Sequence, residues 1–127
     1  DNLAFDLSGN LWMTTDMSGR VMNKEEGPYM DFKNNSLFVI PRIGKDAGKV
    51  IRVANAPRDA EFTGPWFSPD GKTLFLSVQH PGEQTIDLNN PTSRWPFDKD
   101  NIPKPTVVAI TGDLIEKMNN LHVIEKP

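Results

Sequence analysis

Arg58, Glu61, His80 and Glu83 bracket two apolar runs in the segment PRDAEFTGPWFSPDGKTLFLSVQHPGE, and Asn2 stands at the equivalent place before an earlier run, LAF. A carboxylate such as Glu61, set where an apolar strand begins, needs a cation, an arginine or hydrogen-bond donors, because an unpaired buried charge is costly. Metal ligation meets that need, and so does a salt bridge to Arg58, three residues upstream. The amide oxygen of Asn2 suits a hard cation, or a turn that it stabilises itself. His80, where an apolar run meets Pro81-Gly82, is a candidate general acid, a metal ligand, or a histidine bonded to its own loop. The planar fork of Arg58 matches an oxyanion such as phosphate, and equally a salt bridge to Glu61 or Asp59. Arg58 and His80 are therefore the catalytic candidates, and Glu61 and Asn2 the metal candidates. His122 reads as structural, and Trp12, Trp66 and Trp95 read as core and loop anchors.

These residues need elements to hold them. LAFDLSGNLWMTT (3–15) and PWFSPDGKTLFLS (65–77) each place a Phe, a polar turn with Gly, and an apolar strand, so that Phe5 matches Phe67 and Gly9 matches Gly71. Ser68-Pro69-Asp70-Gly71 suits a type I turn with a left-handed glycine closing a bulged hairpin. A long polar connection follows each hairpin, over 16–36 and 80–105, and each leads to a β-rich run, LFVIP or VVAI. KVIRV (49–53) adds a fourth strand to the first unit, and LHVI (121–124) a fourth to the second. Asp113-Leu114-Ile115-Glu116 resembles a capping box opening a short helix to about Asn119. The fold class is all-β: two antiparallel four-stranded units, about 1–56 and 57–127, repeated as propeller blades are. Two blades do not close a ring. The chain is thus expected to be part of a larger propeller, or to cover its open faces by self-association.

Strand direction alternates in a meander, so the connections alternate between two ends. The tight turns at 6–9 and 68–71 share one end. Asp1, Asn2, Asp16, Arg58, Asp59, Glu61, His80 and Glu83 gather at the other, with the long loops. Loops of this length inside compact units are usually functional or disordered, and the asymmetry between the ends marks this one as the functional face.

Composition narrows the classes. The 127 residues make one domain or a piece of one, and 11 prolines punctuate the connections. A net charge of −3 without blocks of like charge gives no nucleic-acid-binding surface. No apolar run is long enough to span a membrane as a helix. With no Cys, thiolate metal sites and cysteine nucleophiles are excluded from this stretch. The chain opens at Asp1, inside the approach to a strand. It reads as a fragment, so the lack of a targeting signal says little about its compartment. No P-loop, GxGxxG, HExxH or GxSxG pattern occurs, and no complete catalytic constellation lies within these residues. The isolated fragment is expected to be inactive.

DNLAFDLSGNLWMTTD, AEFTGPWFSPDGKTLFLSVQHPGE and PTSRWPFDKDNIPKPTVVAI resemble, in order, the C-terminal portion of PhoX-type alkaline phosphatases, from residue 1 to about 110. The resemblance implies a six-bladed propeller from a secreted or periplasmic bacterial enzyme, hydrolysing phosphate esters with calcium and iron held in the central channel. It makes Glu61 a metal ligand, for calcium, and Arg58 or a neighbour a phosphate contact. A Cys ligand to iron would come from upstream. GDLIEKMNNLHVIEKP has no counterpart in it. Two other readings compete: a lactonase-like propeller hydrolase in which Glu61 and Asn2 share one calcium, and a non-catalytic blade pair in which Glu61 pairs with Arg58.

Overall fold

The computed structural model describes residues 1–119. Strands β1 (Leu3–Phe5), β2 (Leu11–Thr14), β3 (Ser36–Ile40) and β4 (Ile51–Asn55) form one antiparallel sheet in chain order. Strands β5 (Glu61–Phe67), β6 (Thr73–Gln79) and β7 (Thr106–Thr111) form a second, also antiparallel, and helix α1 (Asp113–Asn119) follows. The fold is therefore all-β apart from one short helix, as the alternating patterns require. The second sheet has three strands among the described residues. The fourth strand expected at 121–124, with His122, lies outside them.

The two hairpin turns close as their sequences predict. Gly9 N donates to Asp6 O at 3.0 Å, and Gly71 N to Ser68 O at 2.8 Å. Gly71 sits at φ 69°, a left-handed conformation that costs glycine little. Asp6 does more than turn the chain. Its buried carboxylate accepts from Ser8 N, Asn10 N, Asn10 Nδ2 and the Trp12 indole Nε1, at 2.8 to 3.0 Å.

The core lies between the sheets. Trp12, Leu37 and Val39 from the first sheet meet Phe62, Leu74, Leu76 and Val78 from the second, and Ile115 and Met118 of α1 close the space. Trp12 is fully buried and stands edge-on to Phe67, with ring centroids 5.4 Å apart.

Trp66 corrects its expected place in the core: it is 72% exposed. The cause is a bulge in β5. Thr63 pairs with Ser77 and Trp66 with Phe75, so β5 spends one residue more than β6 between those pairs. The extra residue reverses the alternation of faces. Phe62 and Phe67 both face the core, while Trp66 turns to the open side with Phe75. Gly64, at φ 60°, takes the left-handed conformation that the bulge needs, and Pro65 beside it has no N–H to leave unpaired.

The turn end is not bare either, contrary to the expectation of short turns alone. Asn119 of α1 accepts from Leu7 N at 2.9 Å and donates to Gly71 O at 2.6 Å, so it ties the two hairpin turns together. The Asn10 side chain adds a bond to Met118 O at 3.0 Å.

Candidate functional site

Strand pairing builds the site at the long-loop end. Glu61, the first residue of β5, lies opposite Gln79, the last of β6. The next residue, His80, is thereby carried to the Glu61 side chain. His80 Nε2 stands 3.4 Å from Glu61 Oε1, and His80 Nδ1 stands 3.7 Å from Glu83 Oε2. The backbone of His80 has φ 35°, a conformation that non-glycine residues seldom adopt. It lets the chain reverse at Pro81-Gly82, and Glu83 N donates back to His80 O at 3.1 Å.

Glu61 is 8% exposed, and its Oε2 has no hydrogen-bond partner. Its pKa is raised: burial contributes most, then the neighbouring Asp16 carboxyl, while His80 opposes the shift less strongly. A buried acceptor left over in an acidic surrounding is a place where a cation would repay the desolvation of the carboxylate. Oxygen donors of this kind suit a hard ion such as calcium. Among the described residues, no three His, Cys, Asp or Glu side chains converge closely enough to hold an ion by themselves. An ion at Glu61 would therefore need further ligands from elsewhere.

The other sequence candidates lie near this end in different settings. Arg58 does not pair with Glu61. Its Nε lies 4.0 Å from Asp59 Oδ1, and its side chain is 60% exposed. It lines a cavity of about 710 Å³ together with Phe62, Val78, Arg94, Trp95 and Ile110. Asn2 braces the sheets against each other: its Oδ1 accepts from the Thr63 hydroxyl at 2.5 Å and from Gly64 N at 2.9 Å. That bond satisfies the backbone of the β5 bulge, a role visible only once the bulge is seen. Sequence reasoning also missed Asn35. Buried at 1% exposure, it accepts from Thr15 Oγ1 and Met17 N and donates to Ala60 O, next to Glu61. Nothing in the polar approach to β3 singled it out, since Asp31, Lys33 and Asn34 stand just before it.

Residues 1–82 match the family model of the alkaline phosphatase PhoX, a span that contains Asn2, Asp16, Arg58, Glu61 and His80. The chain belongs to the PhoX family. Among solved structures it is similar to Pseudomonas fluorescens PhoX in complex with vanadate, a transition state analogue. The two share 35% identity and a TM-score of 0.69, over 87% of this chain and 17% of that one. No curated protein matches. PhoX is a β-propeller enzyme, and the two sheets are blade-like units of that architecture. No helix among the described residues is long and apolar enough to cross a membrane.

Proposed function

We propose that this chain forms part of a metal-dependent phosphatase that hydrolyses phosphate esters. The observation that carries the reading is the buried Glu61 carboxylate, one oxygen of which has no donor, beside Asp16 and His80 inside the span that matches PhoX. Glu61 would hold calcium, with further ligands, including those for iron, supplied by parts of the enzyme beyond this chain. Bound metal would neutralise phosphate oxygens and activate the attacking oxygen. The chain's own residues do the remaining work. His80 sets the orientation of the Glu61 carboxylate from its place between Glu61 and Glu83. Arg58, exposed and unpaired with Glu61, is free to contact the phosphate with its planar fork. The oxygen of Asn2 is already engaged by Thr63 and Gly64, so Asn2 serves the site as a brace.

The open faces support a larger assembly. The Trp66–Phe75 pair occupies the register position in its hairpin that Ala4–Trp12 occupies in the first. Trp12 is buried by the second sheet, whereas Phe75 is 39% exposed. Leu3 and Phe5 lie still more open on the other side. Further blades would cover these faces in the whole enzyme, and the isolated chain, catalytically silent, would self-associate through them. The enzyme would act in the periplasm or outside the cell.

The test is hydrolysis of an aryl phosphate by the full-length, metal-loaded enzyme, with and without calcium, alongside Glu61→Gln. Calcium-dependent release of phosphate that the substitution abolishes is the expected result. No hydrolysis by the fully loaded wild type would overturn the reading.

A further inference from the structure

We propose that Asp59 is a positioning residue for this site, clasping both long loops to the short link that carries Arg58 and Glu61. The inference rests on the phosphatase reading given above. Asp59 is 3% exposed and sits at φ 63°, a left-handed conformation to which Asp is better suited than most residues. Its Oδ1 accepts from Asn23 Nδ2 at 3.2 Å, within the 16–36 loop. Its Oδ2 accepts from the Thr92 hydroxyl at 2.5 Å, within the 80–105 loop. Its backbone N donates to Asn34 Oδ1 at 3.4 Å, and the same oxygen accepts from Asn23 Nδ2 at 2.8 Å.

The neighbours of Asp59 are held as well. Arg58 O accepts from Gly82 N at 3.1 Å, and Ala60 O accepts from Asn35 Nδ2 at 3.3 Å. Every residue between Arg58 and Glu61 is therefore bonded to a loop of the functional face. A buried carboxylate held by an amide and a hydroxyl, with a guanidinium no nearer than 4.0 Å, is an expensive way to fasten a loop. A fully connected buried polar network does, however, specify one geometry. Catalytic groups need such support, since displacement by about 1 Å can cost on the order of 100-fold in rate. Around the left-handed turn at Asp59, Arg58 is exposed and Glu61, two residues on, is buried.

Asp6 supplies the contrast. It is also buried and accepts from several donors, but these all belong to its own hairpin at the opposite end. In the full-length metal-loaded enzyme, kcat and KM for an aryl phosphate, binding of inorganic phosphate by calorimetry, and Tm would be compared across Asp59→Asn, Thr92→Val, Thr92→Ser and Asp6→Asn. Asp59→Asn and Thr92→Val are expected to raise KM and weaken phosphate binding by about tenfold or more. Thr92→Ser, which keeps the hydroxyl, restores both, and Asp6→Asn lowers Tm with KM unchanged. Should Asp59→Asn and Thr92→Val lower Tm alone, as Asp6→Asn does, Asp59 is only a structural tie and the inference falls. A wild type without phosphatase activity would instead overturn the reading of the site, and this inference with it.

Discussion

Glu61 Oε1 lies 3.4 Å from His80 Nε2, while the other oxygen of the same carboxylate is buried with no partner. In the metal-free chain this arrangement favours protonated Glu61, whose pKa is raised. The fold then binds its proton more readily than the unfolded chain does. The associated stability is fully present below the ordinary glutamate range and is lost as pH rises through the raised one. Glu61→Gln should flatten that dependence and stabilise the metal-free chain at neutral pH by about 1 kcal/mol. Thermal melts across the acidic-to-neutral range check this, and an unchanged pH profile in the variant would refute it.

Calcium should separate the chain from the whole enzyme. Without three converging ligands among its described residues, the 127-residue chain is expected to show little rise in Tm with added calcium. The full-length enzyme should gain about 2.7 kcal/mol at 100 times its dissociation constant. Chelation should reverse that gain, and Glu61→Gln should reduce it. Calorimetric titration of both proteins decides the matter.

Asn2→Ala should loosen the contact between the sheets without touching the ion. It removes the acceptor for Thr63 Oγ1 and Gly64 N, a loss of about 1 kcal/mol, and amide exchange at Gly64 should quicken. A large drop in calcium affinity of the full-length enzyme would show instead that Asn2 is a ligand.

Leu76→Ala opens a cavity at a position 1% exposed between the sheets and should cost about 2–5 kcal/mol. Asn119→Ala should cost about 1 kcal/mol and speed amide exchange at Leu7, whose N–H it leaves unpaired. Denaturant melts and exchange measurements distinguish the two.

Phe75→Lys places a charge on the open face beside Trp66. Sedimentation of the isolated chain should show concentration-dependent association in the wild type and less of it in the variant. Monomeric wild-type chain at all concentrations would remove the case for self-association through that face.

Period-two patterning and turn chemistry are local, so the hairpins around Gly9 and Gly71, the strand-rich class and the helix from Asp113 to Asn119 were legible in the residues. So was the gathering of Glu61 and His80 at one end, because antiparallel pairing requires it. Trp66 was misjudged because a bulge at Gly64-Pro65 reverses the faces, and such a slip depends on the partner strand. Which polar side chains meet across loops was likewise out of reach. Arg58 near Asp59 rather than Glu61, Asn2 on the bulge, and Asn119 across two turns are contacts between residues far apart in sequence or equally possible on paper. Sequence by itself determined where strands begin, which end bears the long loops and which residues could do chemistry, since those follow from nearest-neighbour sterics and alternation. Only the tertiary structure decided how each polar group is paired, because burial makes every such choice depend on what else is packed around it.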